Sequence, residues 1–193
     1  PCPVSEYGKS KLAGEQEVRE HCRAQHVILR PPAVYGPRDA EFLRLFRAVK
    51  KHLLPAPPGR QPLSLVFVRD LAQVVVACLE RPAAANRTYF VSCPEVASAR
   101  LMALEAAAAL RTWTVPLPLP RALLWLLCLT QELGSRLSGK ANVLSLQKYA
   151  ELRAPGWVCD PARLQQELGL QCPTGLKAGI AETLAWYQRE HWL

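Results

Sequence analysis

Ten glycines are spread through 193 residues, and nowhere do they form the Gly-x-Gly-x-x-Gly turn that cradles a dinucleotide pyrophosphate between strand and helix. That absence excludes a complete dinucleotide-binding half within this chain. Seven cysteines are an odd number with no Cys-x-x-Cys pair, and four scattered histidines accompany them. This excludes a zinc constellation and a secreted disulfide framework, and it leads us to expect no metal and reduced, packing thiols in a cytoplasmic setting. The uninterrupted apolar run 122–129 is far short of the ~20 residues that span a bilayer. Charge is present but undirected: a net charge of +8 comes from lysines and arginines that are scattered rather than blocked. An ordinary surface explains it, no nucleic-acid partner is indicated, and attraction to a phosphate-bearing cofactor or anionic lipid is the weaker account. There is no internal repeat and no low-complexity tract, and no signal peptide is expected before the first helix. The balance of 50% hydrophobic and 21% charged residues suits a globular chain of one domain or slightly more.

The chemistry-bearing stretch is Tyr7-Gly8-Lys9-Ser10-Lys11. A helix puts Tyr7 and Lys11 on one face, one turn apart. A phenol beside an ammonium is a proton-transfer pair, because the positive charge favours the phenolate and brings a group of intrinsic pKa ~10 toward working pH. Many surface helices carry the same two residues as a solvated tyrosine and a free lysine, so the pair gains meaning only from its surroundings.

Those surroundings are ordered. Ser5 is placed to cap a helix running to about residue 25, with Leu12, Val18 and Cys22 on a buried or dimer-facing side. The short apolar run Val27-Ile28-Leu29 then ends in Arg30-Pro31-Pro32-Ala33-Val34-Tyr35-Gly36-Pro37-Arg38. Helix, buried strand and rigid turn make half of a parallel α/β unit. Residues 41–51 read as an amphipathic helix with Phe42, Leu45, Phe46 and Val49 in one core stripe. Residues 55–59 read as a loop, 63–68 as a strand, and Asp70 as the N-cap of a helix over 71–80. A strand over 88–92 and an alanine-rich helix over 98–110 follow. Residues 121–137 form the most apolar segment. It reads as a helix covering a substrate cleft, or, as the sharper alternative, an interfacial helix. Short helices are expected over 144–151 and from Asp160-Pro161 to Gly169. A last helix over 175–190 aligns Leu176, Ile180, Leu184 and Tyr187, with Trp186 and Trp192 packing the chain end.

The Tyr-x-x-x-Lys helix, the strand and the Arg-Pro-x-x-x-Tyr-Gly-Pro loop together resemble the extended short-chain dehydrogenase/reductases, and the likeness continues through Phe67-Val68-Arg69-Asp70-Leu71-Ala72 toward the C-terminus. The resemblance implies an α/β fold: a Rossmann-like doubly wound parallel sheet whose N-terminal half is missing, with a smaller α/β substrate domain. Residues 1–36 and 65–95 would contribute to or flank that sheet, and 37–64 and 96–193 would mostly serve the substrate. The chain would then be the C-terminal part of a longer enzyme, its glycine motif and catalytic Ser/Thr lying upstream. Alone it is expected to bind dinucleotide weakly and to be inactive. The resemblance further implies NAD or NADP as cofactor. Tyr7 would transfer the proton, Lys11 would hold the nicotinamide ribose, and Pro31, Ala33 and Val34 would meet the nicotinamide end. Tyr35 and Gly36 would shape the loop. It also implies a small-molecule substrate and a homodimer built through the first helix.

Sugar-nucleotide members of that branch carry an arginine for the substrate diphosphate near residues 61–65. Here the sequence reads Gln61-Pro62-Leu63-Ser64-Leu65, with Arg60 too early. A diphosphate needs charged donors that leucine lacks. With the apolar segment 121–137, this favours a lipophilic, steroid- or flavonoid-like substrate and possible membrane contact by that segment. A nucleotide-sugar epimerase or dehydratase is the alternative. A non-catalytic, cofactor-sensing scaffold on the same fold is the alternative of another class.

Overall fold

A computed structural model describes residues 2–56, 61–118, 120–138 and 146–193. The chain forms two compact units: Pro1–Arg23, Ala56–Gly59 and Pro118–Pro155 in one, and Ala24–Pro55, Arg60–Leu117 and Gly156–Leu193 in the other.

The first unit begins with α1 (Glu6–His21). Ser5 caps it, its Oγ accepting from Gly8 N at 3.3 Å. Glu6 in the first turn and Arg19 and His21 in the last complement the helix dipole. The helix stops at His21 rather than at residue 25, because Cys22 turns extended (ψ 114°) and the chain must redirect before its first strand. No residue of α1 is buried. The expected inner face is therefore absent within the chain: Val18 and Cys22 are exposed and Leu12 is half-buried. The helix rests on its cap and on pairs such as Lys9–Glu6 (2.7 Å) and Arg19–Glu15 (3.2 Å), each worth about 0.3–0.5 kcal/mol.

In the second unit, β1 (Val27–Arg30) and β2 (Ala33–Tyr35) are separated by Pro31-Pro32. β1 runs parallel to β5 (Arg87–Phe90), with Val27 opposite Arg87. β2 runs parallel to β4 (Leu63–Phe67), with Ala33 opposite Leu65. Two residues without N–H groups end the first ladder, and the strand resumes against a different neighbour. Ala33 and Val34 therefore lie in a strand, not in the loop expected from the prolines.

Between β2 and β4 come α2 (Ala40–Lys50) and β3 (Leu53–Ala56). Asp39 caps α2, accepting from Glu41 N at 2.7 Å and Phe42 N at 3.2 Å. Its inner stripe is Leu43, Phe46 and Val49, with Phe42 and Leu45 of the expected stripe half-buried. β3 begins where a loop was expected and pairs with β7 (Val115–Pro118). A two-stranded ribbon is all edge, so its prolines forfeit no interior ladder bond. Residues 57–59 and Arg60 lie outside the described residues.

α3 (Val68–Glu80) follows β4 directly, and a 3-10 turn (Pro82–Ala84) leads into β5. β6 (Val96–Ala97) pairs antiparallel with β4. Ser98 caps α4 (Ala99–Ala109), accepting from Leu101 N at 3.1 Å. In the first unit α5 (Arg121–Ser138) packs on α6 (Leu146–Arg153). The expected start of that second helix, 144–145, lies outside the described residues. α7 (Ala162–Leu168) ends on Gly169 at φ 63°, a left-handed cap that suits glycine. α8 (Leu176–Arg189) buries the expected Leu176, Ile180, Leu184 and Tyr187. Trp192 stacks on Tyr187 at 5.9 Å and meets Trp186 edge-on at 4.9 Å, closing the chain end as expected. Among the described residues no helix is long and apolar enough to cross a membrane.

The core of the second unit joins Val66, Val74, Cys78, Tyr89, Val91, Leu164 and Cys172. Burial pushes the Cys172 thiol up to about 12, and Cys78 and Cys128 upward too, chiefly because the thiolate cannot be solvated there. The buried thiols thus favour the folded state as long as they stay protonated, and their contribution falls once pH climbs above the ordinary thiol range toward 12. Alkylation of the native protein near pH 8 followed by mass mapping should label exposed Cys2 and Cys22 and spare Cys78, Cys128 and Cys172. Equal labelling of all five would contradict this packing.

Candidate active site

The capped start of α1 presents Tyr7 and Lys11 side by side. Tyr7 is 70% exposed, and its hydroxyl has no hydrogen-bond partner among the described residues. Lys11 Nζ stands over the Tyr7 ring, 5.4 Å from its centroid. The neighbouring Lys9 is neutralised by Glu6, whereas the Lys11 ammonium meets no carboxylate among the described residues. Gly8 allows the lead-in to fold back over this turn, since a Cβ there would sit 2.9 Å from Pro3 Cβ. The result is an open phenol and a cation with all its donors available.

The other expected site residues belong to the second unit. Pro31 is exposed at the carboxyl end of β1, and Ala33 and Val34 are half-buried in β2. Val34 packs on the core, and Arg30 lies over the Phe90 ring at 5.5 Å. Pro31 and Pro32 have no N–H to give, so this strand junction offers carbonyls and apolar surface. Tyr35 follows, buried between Phe42 and Phe67 at ring distances of 6.1 and 5.5 Å. Burial first, then Cys93, Glu95 and Asp70 nearby, push its phenol above the ordinary value. Tyr35 is a packed, protonated phenol with no access to a substrate. Gly36 (φ 149°) is required beside it, because a Cβ there would sit 2.5 Å from Val68 Cγ1.

Residues 1–121 match the family described as RmlD substrate binding domain. The chain belongs to that family. It is thus an extended short-chain dehydrogenase/reductase chain, as its motifs indicated. It is 31% identical over 191 residues to a UDP-glucose 4-epimerase of Vibrio cholerae, covering 94% of this chain and 53% of that protein. It is 29% identical over 207 residues to a ceramide reductase of Caulobacter vibrioides, covering 98% of this chain and 59% of that protein. Its fold matches that of a UDP-glucuronic acid 4-epimerase from Bacillus cereus, solved with UDP-glucuronic acid and NAD. The TM-score is 0.73 at 19% identity, over 98% of this chain and 55% of that one. The chain spans about half the length of the curated relatives first matched.

Within this family member, Asp70 plays a part its position in the sequence does not announce. Asp70 is not the N-cap of α3: the helix begins at Val68, the cap position is Phe67, and Asp70 sits in the first turn. Its carboxylate is 4% exposed and accepts from Thr174 N and Thr174 Oγ1, both at 2.8 Å. A second carboxylate went unnoticed. The N-cap of α8 is Gly175, which has no side chain, and Glu95 Oε2 accepts from Leu176 N at 2.9 Å instead. Gly179, inside α8, lies against the Tyr35 hydroxyl so closely that a Cβ would collide with it. A glycine in a helix interior is the signal that would have revealed this approach.

Proposed function

We propose that the protein carrying this chain is an NAD- or NADP-dependent oxidoreductase of the epimerase/dehydratase kind, interconverting a hydroxyl and a ketone on a sugar nucleotide. The observation that carries the reading is the Lys11 ammonium, without a carboxylate partner among the described residues, over the exposed Tyr7 ring at the capped start of α1. The bound cofactor supplies or accepts the hydride. Tyr7 passes the accompanying proton to or from the substrate oxygen. Lys11 donates to the ribose hydroxyls of the cofactor, a task its open donors fit. Pro31, Ala33 and Val34 give the nicotinamide end a donor-poor, apolar wall at the carboxyl end of a parallel strand, where ligands of such sheets bind.

The epimerases among its relatives favour a sugar nucleotide over the steroid- or flavonoid-like substrate expected from the sequence, which none of these relatives supports. A second reading, reduction of a long-chain lipid carbonyl, is favoured by the ceramide reductase and by Leu63 in place of a diphosphate-binding arginine. The test is to give the full-length protein NAD or NADP(H) with UDP-hexoses, dTDP-hexoses and long-chain keto lipids. The readouts are sugar interconversion and nicotinamide absorbance. Sugar turnover supports the first reading and lipid turnover the second. Silence with every pair overturns both in favour of the scaffold.

Two assembly features complete the proposal. The seven cysteines, an odd count with no Cys-x-x-Cys pair, suit a reducing, cytoplasmic compartment, and the exposed Leu123, Trp125, Leu126 and Leu127 of α5 suit peripheral membrane contact. A homodimer would use the uncovered side of α1. Val18→Glu in the full-length protein should then give monomers that still bind cofactor, read by light scattering. A mass unchanged from wild type removes α1 from the interface.

A further inference from the structure

We propose that the corner of the second unit formed by the end of α2, the β3–β7 ribbon and the turn after α4 docks onto an anionic lipid surface. At its centre, the His52 ring stacks on Trp113, with centroids 4.3 Å apart and planes 13° from parallel. His52 Nδ1 lies 3.0 Å from Thr112 Oγ1 and 3.1 Å from Trp113 O, and Val115 N donates to His52 O at 2.9 Å. These contacts hold Trp113 in place, yet it is 62% exposed. A large ring that is rigidly held and left open has the form of an interfacial anchor.

Its neighbours extend that surface. Leu53 on β3 and Val115 and Leu117 on β7 are exposed, while Leu54 takes the inward position. Around them stand exposed Lys50, Lys51 and Arg111, and residues 42–56 and 106–118 contain no acidic side chain. Helix dipoles account for cations at the ends of α2 and α4. They do not account for apolar side chains exposed among those cations. The two turns also hold non-glycine residues in the left-handed region, His52 at φ 62° and Arg111 at φ 52°, where glycine would be unstrained.

Charge complementarity selects the occupant. A second copy placed on this corner by a two-fold axis would set the same cations against each other. A nucleic acid would use Trp113 and the cations but leave Leu53, Val115 and Leu117 without a role. Anionic headgroups meet Lys50, Lys51 and Arg111 while Trp113 and the aliphatic side chains enter the headgroup boundary, so every feature is used. The proposal needs neither the catalytic pair nor α5.

The experiment is co-sedimentation of the full-length protein with phosphatidylcholine vesicles, with and without phosphatidylglycerol, at low and high salt. Binding should need the anionic lipid and fall with salt, because the attraction is screened within a Debye length. Each basic residue near such a surface contributes roughly fivefold, so Lys50→Gln/Lys51→Gln/Arg111→Gln should lower vesicle affinity by on the order of 100-fold. Trp113→Ser with Leu117→Ser should also weaken it, and decides the matter if the triple variant does not fold. Equal binding to phosphatidylcholine alone, or undiminished binding by the triple and the Trp113/Leu117 variants, overturns the proposal. So does binding of a single-stranded oligonucleotide in place of vesicles, lost in the same variants.

Discussion

Tyr7→Phe in the full-length protein is expected to lower turnover by ~10²–10⁴-fold, the usual contribution of a positioned acid–base group. Cofactor affinity should hold, because the lost hydroxyl has no partner among the described residues whose removal would disturb α1. Phenylalanine keeps the ring over which Lys11 sits, so the helix face survives and only the proton route is removed. Lys11→Met should behave differently. It would remove the proposed ribose donors and the cation together, so cofactor affinity and turnover should fall jointly. Single-turnover kinetics and cofactor titration separate the two patterns. Unchanged turnover in Tyr7→Phe would remove Tyr7 from the chemistry whatever the substrate proves to be. A fall in both variants through cofactor affinity alone would reassign the pair to binding.

What could be read from the sequence follows from how local each signal was. Tyr7 and Lys11 share a face because helical period alone fixes it, and α8 was legible because Leu176, Ile180, Leu184 and Tyr187 repeat at that period. The prolines at 31 and 32 announced a break, but not that the chain would resume as β2 against a new partner. That outcome depends on β4, about thirty residues away, and no local pattern encodes it. β3 and β7 were hidden for the same reason: Pro55, Pro116 and Pro118 argue against strands, and only their pairing in an isolated ribbon makes them tolerable. α1 misled in the opposite sense. Its apolar residues suggested an inner face, yet it is a surface helix carried by a cap and ion pairs within this chain. The Tyr7–Lys11 pair could be picked out from its spacing, whereas the ties within the second unit could not. Glu95 capping α8 and Gly179 receiving Tyr35 join segments far apart in sequence.

Asp70 shows how far such a support reaches, and its removal should have the largest effect on stability. As a cap, Asp70 would be worth about 1 kcal/mol and replaceable by serine or asparagine. As the buried acceptor for both Thr174 N and Thr174 Oγ1, it is tied to the segment that leads into α8. Asp70→Ala would leave that amide and that hydroxyl without their acceptor, at about 1–3 kcal/mol each if water does not enter, so a loss of ~3 kcal/mol is expected. Asp70→Asn should lose less, since one amide oxygen still accepts while its NH₂ faces a donor. Thr174→Val removes the hydroxyl but keeps the amide bond, and should lose about 1 kcal/mol. In a double-mutant cycle Asp70→Ala and Thr174→Val should be strongly non-additive, because the second removes a group the first has already orphaned. Urea unfolding followed by tryptophan fluorescence reads this well, since Trp186 and Trp192 close the far end of α8. Additive losses, or a loss below about 0.5 kcal/mol for Asp70→Ala, would return Asp70 to the role of an ordinary first-turn acid. A large and coupled loss would place Asp70 as the tie that fixes α8, and through Gly179 the packing of Tyr35 at the end of β2.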